Sequence, residues 1–296
     1  MTDPHNNDRP DLLWGFSTLG CPELSLPQIC ELLAEFGLCG LEIRCVDGRM
    51  DLPQWAASAG WTRRRATALL AKRRIQFRVA GSSFKLVGND EKSRAELLSF
   101  CHWANSWGAQ YVRAFGGGTW GQPLTETDYT QAAETVMWWQ WERKRRHWQT
   151  DLVLETHDAF SASPPCRHLL ARLREPIGII WDSHHTWRLG GETPRESWAQ
   201  LFPWIRHVHF KDSIAKPSAR HPYTYVLPGE GEMPLEQVVK VLRENHFLGM
   251  VSLEWERQWH PYLPPLRDAL LQLQKLSWFS NSSRSRHDHR SPLIAG

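Results

Sequence analysis

Apolar and polar positions along the chain switch repeatedly between two periods. Short apolar or β-branched runs predict strands at LWGFSTLG (13–20), GLEIRC (40–45), QFRVAGSS (76–83), YVRAFGGG (111–118), LVLETH (152–157), IGIIWDSHH (177–185), IRHVHFKDS (205–213) and GMVSLEWE (249–256). Between them the apolar residues recur at helical spacing. After the first run, Leu26, Ile29, Cys30, Leu33 and Phe36 fall three and four apart, and Gly37 stands where a C-cap would be. The same reading predicts helices over 53–74, 91–107, 125–149, 163–174, 193–202, 234–246 and 263–278.

This is eight strand–helix units in strict alternation. Parallel neighbours need crossover connections, so the pattern implies a parallel sheet. Eight units closing on themselves give a (β/α)8 TIM barrel of the α/β class, and an open doubly wound sheet is the alternative. No Gly/Ser/Pro-rich linker divides the chain, so residues 12–279 read as a single barrel domain. Residues 1–11 and the polar, basic 280–296 have few core formers and read as disordered.

Composition narrows the class little. The chain has 296 residues, 41% of them hydrophobic, and a formal net charge of +3, which argues neither for nor against an anionic partner. Its six cysteines form no CxxC pair and read as reduced, packed thiols of a cytoplasmic protein. No basic-then-apolar leader and no apolar run long enough to span a membrane is present. The basic aromatic stretch WWQWERKRRHW (138–148) reads as a solvated helix face over packed tryptophans, so no nucleic acid partner is expected. Homo-oligomerisation stays open.

Chemistry in a barrel gathers where strands end and βα loops begin. Here four consecutive strands carry acidic or imidazole groups at those ends: Glu155 and His157; Asp182, His184 and His185; His207, His209 and Lys211; Glu254 and Glu256. Residues two apart on a strand share a face. If these faces point into the barrel mouth, several carboxylates converge, which is costly without a compensating cation. One divalent metal is the simplest compensation. The mixed oxygen and nitrogen donors suit Mn, Mg, Co or Zn without choosing among them.

In their order, LETHD, WDSHH, HVHFKD, LPGEGEMP and SLEWE resemble the xylose-isomerase-like barrels known broadly as sugar phosphate isomerases/epimerases. That group includes ketose 3-epimerases, inosose dehydratases and the apurinic-endonuclease barrels. The resemblance runs from Phe16 to Trp278. It implies that Glu155, Asp182, His209 and Glu254 are metal ligands, that His185 contacts either substrate or the residues just behind the ligands, and that Lys211 binds a substrate oxygen or carboxylate. Glu42 and Arg44, on one face at the end of the second strand, are further candidates for substrate binding at the pocket rim. The endonuclease relatives hold three metals with extra histidines on strands three and four. VAGSS and AFGGG here contain no histidine, so one metal is expected and DNA repair is not. FGGG (115–118) lacks any P-loop context and reads as a tight βα turn, whereas GEGE (229–232) reads as a loop over the mouth. Trp181, Trp187, Trp255 and Trp259 flank the proposed ligands and read equally as pocket walls or as packing.

The resemblance implies a mechanism. A metal chelating a carbonyl and a neighbouring hydroxyl of a sugar would stabilise an enediolate. Glu155 and Glu254 would be the acid/base pair, with His185 holding a substrate oxygen. The expected activity is a metal-dependent isomerase or epimerase of a ketose or related polyol. The alternatives are a dehydratase or lyase of a cyclic keto-polyol or glycoside, and a barrel that binds a sugar without turnover.

Overall fold

The computed structural model describes residues 12–279; the expectations for 1–11 and 280–296 lie outside the described residues. Eight parallel strands close a barrel: β1 (Leu13–Ser17), β2 (Gly40–Ile43), β3 (Gln76–Lys85), β4 (Tyr111–Phe115), β5 (Asp151–Glu155), β6 (Gly178–Asp182), β7 (Ile205–Phe210) and, after an inserted hairpin, β10 (Met250–Leu253). Closure is made by β1 against β10, with Leu13 opposite Met250 and Phe16 opposite Leu253. That pairing leaves no edge strand in the ring and excludes the open doubly wound sheet. The hairpin, β8 (Asp212–Ile214) with β9 (Thr224–Val226), is antiparallel and pairs only with itself.

Helices pack outside the ring: α1 (Leu26–Glu35), α2 (Leu52–Ser58), α3 (Arg63–Lys72), α4 (Glu91–Trp107), α5 (Glu126–Arg146), α6 (Ser163–Leu170), α7 (Ser183–Arg188), α8 (Pro194–Leu201), α9 (Leu235–Glu244) and α10 (Leu266–Leu273). Their starts are written in short polar residues. Thr62, Asp90, Thr125 and Thr193 each accept from the backbone N–H three residues on, filling donors that a helix leaves open. The single helix expected over 53–74 is two, because Gly60 takes a positive φ of 66° and Thr62 caps a new start.

Most strands stop earlier than their apolar runs. The 177–185 run ends as strand at Asp182, whose Oδ1 accepts from His185 N and starts α7. The 205–213 run crosses from β7 into the hairpin. Packing between strands and helices is apolar and continuous. Inside the ring Val79, Val153 and Ile180 make a small separate layer. FGGG is the tight turn expected: Gly117 and Gly118 have positive φ, and a Cβ at Gly116 would lie 1.9 Å from the Phe160 ring.

Candidate functional site

Parallel strands all present their C-terminal ends at one rim of the barrel. The last inward residue of β5 is Glu155 and of β6 is Asp182. His209 lies one residue before the end of β7, and Glu254 directly follows β10. These four side chains are buried, and one ligand-type atom from each lies within 4.8 Å of the others. His209 Nδ1 is 3.4 Å from Glu155 Oε1 and 3.4 Å from Glu254 Oε2. Asp182 Oδ2 is 2.8 Å from Lys211 Nζ and 3.0 Å from His185 Nδ1. Yet neither His209 Nδ1 nor Asp182 Oδ2 has a hydrogen bond of acceptable geometry.

Glu42 explains the orientation of His209. It is fully buried, below the mouth, and its Oε2 accepts from His209 Nε2 at 2.7 Å and from His207 Nε2 at 3.0 Å. The sequence expectation of Glu42 at the pocket rim is therefore corrected. One strand step of two residues, roughly 6.6 Å, separates it from Arg44, which does reach the cavity. Burial alone would favour a protonated Glu42, but the two imidazoles outweigh it and hold the carboxyl far below the usual carboxylate range. With Nε2–H given to this carboxylate, the Nδ1 lone pair of His209 faces Glu155 and Glu254. A carboxylate behind an imidazole fixes its tautomer in just this way at metal sites.

Charge in the site does not balance on fixed cations. Glu42, Glu155, Asp182 and Glu254 are all buried, against Arg113, Lys211 and, at the cavity wall, Arg44. Arg113 Nη1 donates to Glu155 Oε2 at 2.9 Å and lies 3.9 Å from Glu254 Oε1. Lys211 Nζ reaches Asp182, Glu254 and, at 2.6 Å, Glu256 Oε1. Burial opposes charge on His209, yet the surrounding Glu254 and Glu42 push its pKa well above the ordinary imidazole value. The excess negative charge thus demands either a proton on His209 or a cation among the four carboxylate and imidazole donors. His209 Nδ1, which makes no hydrogen bond, and the carboxylate oxygens of Glu155, Asp182 and Glu254 around it fit a divalent ion.

A cavity of about 690 Å³ opens over this cluster. Glu155, Glu254, His185, Lys211 and Arg44 line it, as do His157, Arg220, His221, Trp259 and His260. His185 is held by Thr156 O at 3.0 Å from Nδ1. His157 Nδ1 pairs with Asp158 Oδ1 at 2.9 Å. Burial disfavours a charged His157, but the Asp158 hydrogen bond and the Glu155 charge raise its pKa.

Of the four flanking tryptophans only Trp259 lines the cavity. Trp181 and Trp255 are buried, with their indole N–H groups on Thr186 Oγ1 and Pro264 O, and Trp187 packs against the core. GEGE does not cover the mouth. The Asp212 carboxylate accepts from the backbone N–H of Gly229, Gly231 and Met233 and ties that loop down beside the hairpin, whose Arg220 and His221 line the cavity instead.

Sequence reasoning missed Arg113, Tyr225 and His221, and it named Glu256 at a strand end without giving it a role. Arg113 had a signal, since an arginine inside the apolar strand YVRAF needs a buried counter-charge. Tyr225, whose OH donates to Glu256 Oε1 at 2.8 Å, had none, because it sits in the three-residue strand β9.

Along the basic stretch of α5, Arg145 and Arg146 pair with Glu142, Arg143 with Asp151 and Lys144 with Glu175, over buried Trp139 and Trp148. No helix among the described residues is long and apolar enough to cross a membrane.

Among curated proteins, the chain is 32% identical over 93 residues to a C-glycoside deglycosidase alpha subunit of Arthrobacter globiformis, covering 31% of this chain and 22% of that one. It is 31% identical over 121 residues to a 3-dehydroshikimate dehydratase of Bacillus anthracis, covering 35% of this chain and 41% of that one. The chain thus spans less than half the length of the curated relatives it matches. Among solved structures, IolI with a bound zinc atom superimposes with a TM-score of 0.70 at 18% identity, over 89% of this chain and 96% of that one. The profile of the xylose isomerase-like TIM barrel family matches residues 30–278, and the chain belongs to that family.

Proposed function

We propose that the protein is a divalent-metal-dependent isomerase or epimerase of a small polyhydroxylated carbonyl compound, opening with removal of the proton beside the carbonyl. The observation that carries this is the pair of buried carboxylates Glu155 and Glu254, each 3.4 Å from His209 Nδ1. Glu155, Asp182, His209 and Glu254 would hold the metal, of the Mn, Mg, Co or Zn kind. A cation there would offset the negative charge that develops on the substrate oxygens as the C–H loses its proton. The zinc named with IolI supports a metal in this fold.

One glutamate takes the proton and the other returns one to the opposite face, which inverts the carbon. Burial works against charge on each glutamate; the Arg113 guanidinium is the main counterweight at Glu155, and His209 and Lys211 are the main ones at Glu254. His185 and Lys211 face the same cavity: with Nδ1–H given to Thr156 O, His185 Nε2 can accept from a substrate hydroxyl, and Lys211, whose N–H groups are taken by Asp182, Glu254 and Glu256, adds positive charge beside the substrate oxygens.

The test is solvent deuterium uptake. Chelated protein is reloaded with Mn, its metal counted by mass spectrometry, and a panel of ketoses and inososes is incubated in heavy water. Exchange at the carbon beside the carbonyl, lost by roughly 10²–10⁴-fold in Glu254→Gln and Glu155→Gln, is the expected result. A wild-type protein that binds metal but exchanges no probe overturns the reading.

A second reading, elimination of a β-hydroxyl or other leaving group from the same carbanion, has its own support. Both curated relatives carry names of bond-cleaving reactions. The His157–Asp158 pair also gives the cavity a proton donor for a departing oxygen. His157→Gln would then abolish product with an added double bond while leaving deuterium exchange intact.

A further inference from the structure

We propose that Arg44 receives an anionic group of the substrate, a carboxylate or a phosphate, so that this cavity takes an acidic polyol rather than a neutral one. This rests on the cavity being the active site argued above. Arg44 is only 5% exposed, and its side-chain hydrogen bond is a single one, from Nη2 to Ser83 Oγ at 2.6 Å. A guanidinium carries five N–H donors. Among the described residues no carboxylate lies within ion-pair distance of it, in contrast to Arg113 and Lys211, which are held by Glu155, Asp182, Glu254 and Glu256. A cation withdrawn from water without a counter-charge is costly and persists where a partner arrives.

The position is built. Thr18 Oγ1 accepts from the Arg44 backbone N–H at 2.9 Å, and Gly81 leaves room for the stem, since a Cβ there would lie 2.7 Å from Arg44 Cδ. The guanidinium lines the same cavity as Glu155, Glu254 and Lys211. Two more cations share that wall or its rim: Lys85, whose acid partner Asp158 is at 3.8 Å, and Arg220. Every acidic residue of the cavity is already turned to Arg113 or Lys211. Arg44 is therefore left without a carboxylate in ion-pair contact among the described residues, and a planar fork such as its guanidinium suits carboxylate and phosphate oxygens. A purely structural tie to Ser83 would use one of the five donors.

The experiment titrates inorganic phosphate and, separately, acetate into the full chain by calorimetry, with and without Mn. Wild type, Arg44→Gln, Arg44→Lys and the remote control Arg206→Gln are compared. Saturable binding in wild type and Arg206→Gln, weakened roughly ten-fold or more in Arg44→Gln and partly restored in Arg44→Lys, is expected. Binding of phosphate alone identifies a phosphate ester, and binding of acetate alone an acid. Equal binding in wild type and Arg44→Gln, or none in wild type, overturns the inference; should Arg44→Gln not fold, unchanged binding in Arg44→Lys does the same.

A substrate arm separates this failure from that of the proposed function. D-fructose 6-phosphate and 5-keto-D-gluconate are compared with D-fructose and 2-keto-myo-inositol for deuterium uptake. Equal exchange of charged and neutral probes removes the role of Arg44 and leaves proton abstraction standing. Anion binding without exchange of any probe does the reverse.

Discussion

The two ring nitrogens of His209 face different neighbours: Nε2 gives its hydrogen to Glu42, and Nδ1 turns to Glu155 and Glu254. Glu42 lies outside the cluster of Glu155, Asp182, His209 and Glu254, yet it sets the tautomer of the one imidazole in it. Glu42→Gln is expected to weaken Mn or Zn affinity by roughly 10–100-fold with little change in fold, read by competition with a chelating dye. Metal binding should also release about one proton from His209, measurable as buffer-dependent heat in calorimetry. The sign of the pH dependence follows. A folded-state pKa well above 6.5 means the chelated protein draws stability from His209 in full below that value and loses it as pH rises through the raised pKa. The metal-loaded protein, with a neutral imidazole, should lack this alkaline loss. Thermal midpoints across pH, with and without chelator, check it. At this scale the meeting of Glu155, Asp182, His209 and Glu254 was legible, because each is a charged or imidazole group closing an otherwise apolar run. The depth of Glu42 was not. Strand alternation gives its face, but only the register of β2 against β3, with Glu42 opposite Val79, sets its level.

At the scale of elements, existence was easier to read than extent. The helix over 91–107 stands where the spacing predicts it, with Asp90 and Gly108 as its caps. Strand ends ran long because apolar residues continue into the βα turns and into α7. The β8–β9 hairpin was invisible, since three-residue strands have no period to detect. Its anchor is Asp212, whose carboxylate serves the N–H groups of Ser213, Gly229, Gly231 and Met233. Asp212→Ala should cost about 3 kcal/mol through those orphaned donors, seen as a lowered denaturant midpoint. Gly231→Ala should disturb the same anchor, since its Cβ would come 2.1 Å from Asp212 Oδ1.

Across the whole molecule, alternation of eight strands with helices left few topologies, and the β1–β10 pairing is what closes the ring. Closure converts four separate strand ends into one donor cluster, and it brings Arg113 from β4 against both Glu155 and Glu254. The hairpin stands apart from this ring. It bonds to itself, yet it supplies His221 and Tyr225 beside Lys211 and Glu256. The fixed ring thus carries the acids, while a separately folded ribbon carries one wall of the chamber above them. Such a ribbon is an exchangeable part: grafting another sequence between Asp212 and Val226 would change which molecules fit without moving the residues that act on them.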